Sequence, residues 1–255
     1  MDNVLRPAPR PLRVPTPLAR GNRILAQPIA ALFVILGVAP GQLSLQSLTL
    51  TLVGLLRMAD GAWSNVLLGA IIVYLGLLAD RADLLIMERK GPPSSWTAFL
   101  GLAIDRLVEV AVVIGLGMLA TTGIHGGPSV AVVLPALWTV VACAAAAGLL
   151  LATRSVEALA ETLLLRAHLL ATRRLPGTAM LQNRPPPRSY LAPLAGRDET
   201  ILLACLAAAF GQPELGLVVI AGLQLVAFFE QVVLFRLRLK EAEAEAGRIL
   251  GPDWP

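Results

Sequence analysis

The chain has 255 residues, 56% of them hydrophobic and only 15% charged, with a mean hydropathy of +0.72. A soluble domain carries roughly 25% charged and 45–50% apolar residues, so a secreted or cytosolic enzyme is excluded. The formal charge of +4, from 21 Lys and Arg against 17 Asp and Glu, says little in total, because in a membrane protein the placement of positive charge carries the orientation. Cys143 and Cys205 lie in apolar runs without ligand spacing, which supports neither a disulfide framework nor a zinc site.

Residues 1–23 hold Arg6, Arg10, Arg13, Arg20 and Arg23 among prolines, with no apolar run beside the initiator. This reads as a cytoplasmic arm rather than a signal peptide. Ile24–Val38 is apolar but short and is interrupted by Gln27 and Pro28, which predicts a helix lying at the interface. Spans are predicted over Gln42–Met58, Ala62–Met87, Trp96–Ala120, Val130–Thr153, Thr200–Phe210 and Leu215–Phe235. The fifth is too short to cross about 30 Å alone, and it counts as a span because Gly211-Gln212-Pro213-Glu214 reads as a turn between antiparallel helices. In Ser155–Arg174, Val156, Leu159, Leu163, Ala167 and Leu170 recur at helical spacing, which predicts a separate amphipathic helix on the membrane surface. A loop with Pro185-Pro186-Pro187 follows.

The expected architecture is therefore all-α: a polytopic protein of six transmembrane helices plus interfacial helices. An arm (1–23) precedes a membrane domain (24–240), which includes the interfacial helix 24–38 and a cytoplasmic helix and loop 154–199. A tail (241–255) ends the chain. All Lys and Arg except Arg57, Arg81 and Arg106 then fall on one side. By the positive-inside rule both termini are cytoplasmic, in a membrane of the bacterial inner (plasma) type.

Ionisable residues within spans cost roughly 2.5–3.5 kcal/mol each on insertion scales and are functional candidates by default. Asp80 and Asp83 share one face of the second span. Asp105 lies about two and a half turns into the third, and Glu109 one turn deeper. Helices joined by the short Glu88–Ser95 loop are expected to be neighbours, so that these carboxylates converge. Clustered carboxylates suit a hard cation such as Mg²⁺. The competing reading pairs them with Arg81 and Arg106, but adjacent residues on a helix point to different faces, so those arginines suit other partners.

These residues resemble the CDP-alcohol phosphatidyltransferases, whose signature is D-x-x-D-G-x-x-A-R followed after eight residues by G-x-x-x-D-x-x-x-D. Asp80, Asp83 and Asp105 match its first, second and fourth aspartates. Thr97–Leu107 is similar to the family's G-A-F-L-D-S-L-A-D-R-L, and Gly37–Ser44 to its G-V-T-P-N-x-I-T. Gly196-Arg197-Asp198-Glu199 and the basic exit after Phe235 also look like it, so the resemblance spans roughly Leu18–Lys240.

The resemblance implies transfer of a phosphoalcohol group from a CDP-linked lipid donor to a hydroxyl acceptor, with release of CMP. Asp80, Asp83 and Asp105 would hold Mg²⁺ or Mn²⁺, and Asp105 would also be the base. Arg154 and Arg197 would meet an acceptor phosphate. Membrane lipids, the donor and a second copy of the chain are the expected partners, and nucleic acid is not. The nucleotide positions depart from the signature: its glycines fall on Leu84 and Thr97, its alanine on Met87, its arginine on Glu88 and its third aspartate on Gly101. Arg89 is about 100° further round the helix. A shifted register would use Gly101, Asp105 and Glu109 instead. The incomplete clamp implies altered or lost activity, and the alternative is a non-catalytic lipid-binding or partner-binding subunit on the same fold. His125-Gly126-Gly127 has no accompanying G-x-S-x-G and reads as a glycine turn.

Overall fold

The computed structural model describes residues 16–39, 41–90, 95–126, 136–172 and 195–250. Most of the basic arm, the Pro185–Pro187 loop and the last residues of the tail lie outside them. The described residues form seven helices: α1 Pro17–Ile35, α2 Gln42–Met58, α3 Trp63–Lys90, α4 Ser95–Thr122, α5 Ala136–Thr172, α6 Arg197–Ala209 and α7 Pro213–Leu250. They contain no strand, only an isolated bridge between Ala62 and His125, so the all-α expectation holds.

Helix α1 begins earlier than the apolar run that announced it. Thr16 Oγ1 accepts the Ala19 N–H at 3.0 Å and Pro17 stands at the first helical position, a start signal stronger than the hydropathy change at Ile24. Asn22, Ala26 and Ala30 form its buried stripe, at the spacing of one helix face. Ile24, Leu25, Leu32 and Ile35 are exposed.

Two other boundaries differ from the sequence expectation. The predicted helix Ser155–Arg174 is, as far as Thr172 where the described residues stop, not a separate helix but the continuation of α5, which runs unbroken for 37 residues. The polar step at Thr153-Arg154-Ser155 does not end it, because Thr153 Oγ1 donates back to the Leu149 carbonyl at 2.8 Å and Arg154 is neutralised by Glu109 at 2.9 Å. Helix α7 likewise continues past Phe235 to Leu250. The turn expected at Gly211–Glu214 is present: Gly211 has φ +70°, and the Gln212 N–H reaches the Ala207 carbonyl at 2.7 Å, closing the end of α6 in the manner of a left-handed cap.

Helices α2 and α3 approach closely through glycine. A Cβ at Gly54 would lie 2.7 Å from the Gly69 carbonyl oxygen, and one at Gly76 would lie 3.0 Å from that of Ser47. Helices α2 and α6 each pack against both α3 and α4, while α4 also meets α5 and α7, and α5 packs along α7. The close neighbour relation expected of α3 and α4 is looser than a direct helix pair: among the described residues no Cα of one comes within 8 Å of a Cα of the other. Helices α2 and α6 part them, and Val73 and Leu77 of α3 join Ile104, Val108 and Val112 of α4 in one shared core.

At the end remote from the aspartates, two turns are clasped together. The Trp63 N–H donates to the His125 carbonyl at 3.0 Å and the His125 N–H to that of Gly61 at 2.8 Å. Gly61 is required there, because its φ is +71° and a Cβ would meet the Gly123 carbonyl at 2.9 Å. Two helical segments, Leu137–Val156 and Pro213–Leu237, are long and apolar enough to cross a membrane. Helices α2 and α6, with 17 and 13 residues, fall short of the roughly 20 residues of a full span, and α4 is interrupted by Asp105, Arg106 and Glu109.

Candidate functional site

The charged residues of α3, α4, α5 and α6 gather at one end of the bundle. Arg197, the first residue of α6, lies between α3 and α4, and its Nη1 contacts both Asp80 and Asp105 Oδ1, the latter at 2.8 Å. The Arg197 side chain is only 7% exposed. Its Nε and Nη2 are buried and find no hydrogen-bond acceptor among the described residues. Asp80 is buried, and the Asp105 side chain is 33% exposed. Of the three aspartates expected to converge, only Asp80 and Asp105 meet, through a guanidinium contributed by a third helix.

Asp83 faces elsewhere. Its carboxylate accepts the Gly41 backbone N–H at 2.9 and 3.0 Å and the Ser44 hydroxyl at 2.7 Å. Gly41, with φ +91°, is the N-cap of α2 and has no side chain to close that helix end, so Asp83 caps it from α3. A carboxylate at a helix N-terminus is favoured by the unsatisfied N–H groups and by the dipole.

Two further networks surround this pair. Asp198, next to Arg197, accepts from Arg81 Nε at 2.9 Å and from Asn22 Nδ2 at 3.0 Å. The Tyr74 hydroxyl donates to Asn22 Oδ1 at 2.7 Å, and the Thr16 hydroxyl donates to Glu199. Helix α1 is thus tied by polar contacts to α3 and to the start of α6. On the other side Glu109, completely buried, is paired with Arg154 at 2.9 Å and with Arg106 at 3.2 Å. Gln224 of α7 donates to the Ala195 carbonyl and to Thr200 Oγ1, both at 3.2 Å. Each carboxylate in this apolar setting has a cation or several N–H and O–H donors facing it, the condition for keeping buried charge.

Arg81 and Arg106 do find partners other than the aspartates beside them in sequence. Arg154 and Arg197, the residues associated with an acceptor phosphate, are both engaged with carboxylates. Leu84 is 44% exposed, and Glu88, at the signature arginine's position, is exposed and pairs with Arg23 at 2.6 Å. Arg89 is also exposed. Thr97 lies against the α2 cap: a Cβ added at Gly41 would come 2.5 Å from its Cγ2. Sequence reasoning missed Asn22, Tyr74 and Gln224 as network members. The one available signal was polar side chains recurring on otherwise apolar helix faces.

The arrangement does not fit the divalent ion that the resemblance implies. Such an ion takes an all-oxygen shell, whereas Asp80 and Asp105 point at a guanidinium and Asp83 at a helix N-terminus. Among the described residues no three Asp, Glu, His or Cys side chains form a ligand group. Comparison with family models and with curated proteins finds no match to this chain.

Proposed function

We propose that this chain is a polytopic membrane protein on the CDP-alcohol phosphatidyltransferase plan, whose acid cluster is closed by its own arginines. It no longer runs metal-dependent transfer, and it serves as a lipid-binding or partner-binding membrane subunit. The observation that carries this reading is Arg197 between Asp80 and Asp105. The cation position of the site is filled by the protein itself, and the nucleotide positions Leu84, Glu88 and Thr97 lack the glycine and arginine that would receive a pyrophosphate.

The membrane part of the proposal rests on an inverted polarity. Leu52 and Leu56 of α2, Ile71 and Leu75 of α3, Ile114 and Met118 of α4, Leu137 and Val141 of α5, and Val218 and Phe229 of α7 all face outward, while Asp80, Asp83, Glu109, Arg154 and Arg197 are buried. Apolar surface spread over so many helices is far more than a soluble monomer exposes. Helices α2 to α7 then make six crossings, α6 crossing with the help of its neighbours. The distribution of basic residues supports a cytoplasmic position for both termini, in a bacterial-type inner membrane.

A second reading is favoured by the meeting of Asp80 and Asp105 at one atom from separate helices. In it the protein transfers a phosphoalcohol group from a CDP-linked lipid donor to a hydroxyl acceptor, with altered activity. The deciding experiment is CMP release by the purified protein in nanodiscs, given CDP-diacylglycerol, candidate alcohols and Mg²⁺ or Mn²⁺. Absence of release supports the closed site. Release that is abolished in both Asp80→Asn and Asp105→Asn overturns it in favour of the transferase.

A further inference from the structure

We infer that Arg197 is the resident cation of the acid cluster: it does for Asp80 and Asp105 what a divalent ion would do, and its removal opens a divalent-cation site between them. This deepens the closed-site reading and names what closes it.

The geometry is that of a point charge. Arginine built into a carboxylate site normally uses its planar fork, with two nitrogens on one carboxylate. Here a single atom, Nη1, faces both aspartates, while Nε and Nη2 are buried without acceptors among the described residues. What fixes Arg197 is therefore the attraction of the two carboxylates, rather than a hydrogen-bond pattern specific to guanidinium. It reaches both because the backbones of α3 and α4 stay more than 8 Å apart and α6, which packs on both, begins with Arg197. The N-terminal end of α6 adds positive potential at the same place.

Charge supplies the second half of the argument. Asp83 is already satisfied by Gly41 and Ser44, and Glu109 by Arg154 and Arg106. Arg81 is turned to Asp198. Within the cluster this leaves Asp80 and Asp105 to Arg197, one positive charge against two negative. Without the arginine, two carboxylates face each other across a partly desolvated gap. A divalent ion would neutralise both and accept water as its remaining oxygen ligands.

The test uses the full-length protein in zwitterionic detergent, with Mn²⁺ as the probe, read by electron paramagnetic resonance and by thermal unfolding. The wild-type protein is expected to bind no Mn²⁺ through these acids at millimolar concentration, and to unfold at the same temperature in EDTA and in Mn²⁺. Arg197→Met should bind one Mn²⁺ and unfold at a higher temperature when Mn²⁺ is added, because an ion that binds only the folded state stabilises it. Adding Asp105→Asn should abolish the gain, and Arg197→Lys, which keeps a cation, should not acquire it. Wild-type Mn²⁺ binding that disappears in Asp80→Asn/Asp105→Asn overturns the inference, as does a folded Arg197→Met that binds no Mn²⁺. If Arg197→Met fails to fold in EDTA, Asp80→Asn/Asp105→Asn/Arg197→Met should fold, since removing a buried ionic group whole is tolerated far better than removing one partner. Failure of that triple variant would mean that Arg197 serves something other than these acids, and would also overturn the inference. The closed-site reading is judged separately, by CMP release.

Discussion

Asp83 caps the helix that starts at Gly41, accepting that residue's N–H on both carboxylate oxygens at 2.9 and 3.0 Å. A side chain of α3 thereby closes the N-terminus of α2, and it does so at the one residue of that turn with no side chain to offer.

Asp83→Ala is expected to destabilise the protein by about 1–2 kcal/mol, the usual cost of a lost helix cap, whereas Asp83→Asn, which keeps a carbonyl acceptor, should lose less. Unfolding in detergent measures both. An alanine variant as stable as the parent would show that the cap is energetically idle.

Glu109 is enclosed with Arg154 and Arg106, and removing only its charge takes a carboxylate away from a buried guanidinium. Glu109→Gln should cost on the order of 3–5 kcal/mol. Glu109→Leu/Arg154→Met should recover much of that loss, so the two sites will be strongly non-additive in a double-mutant cycle. Simple additivity would dissolve the pair.

Helix α1 is held to α3 and α6 through Asn22, which joins Tyr74 and Asp198. Asn22→Ala should raise hydrogen exchange across Pro17–Ile35 while leaving α5 and α7 unchanged. Tyr74→Phe, which removes one hydrogen bond, should cost about 0.5–1.5 kcal/mol. Uniform acceleration over the whole chain would contradict this local role.

The Glu88–Arg23 pair is exposed at 48% and 55%, so Glu88→Arg should change stability by no more than about 1 kcal/mol. Combined with Leu84→Gly it restores two signature positions, and affinity for CDP-diacylglycerol should rise at least about tenfold, or 1.4 kcal/mol. Equilibrium binding in nanodiscs reads the change. No gain would indicate that the donor does not approach this part of α3.

Local pattern carried the helices well, because apolar runs and the turn at Gly211–Glu214 are properties of neighbouring residues. Asp80 and Asp105 were legible as a pair from their motif spacing. Their partner was not: Arg197 lies 92 residues beyond Asp105, and nothing near it in sequence says that α6 begins between α3 and α4. Asp83 was misleading for a related reason. Its spacing from Asp80 places it on the same helix face, but Gly41, brought up by α2, offers it a nearer and fully directional donor. Arg154 looked like the edge of a span because its charge was weighed alone, and Glu109 cancels that charge from another helix.

The unbroken length of α5 has a mechanical consequence. At about 1.5 Å per residue its 37 residues reach about 55 Å, and the 38 of α7 slightly more, against a hydrocarbon layer of about 30 Å. In a six-crossing arrangement both run in the same direction, and they pack on each other. In that proposed arrangement each helix is some 20 Å or more longer than the lipid layer is thick, so part of each would project beyond it. Arg154 and Gln224, one on each helix, both reach the Ala195 carbonyl just ahead of Arg197, so a sideways displacement of the projecting parts would act as leverage on the charged cluster.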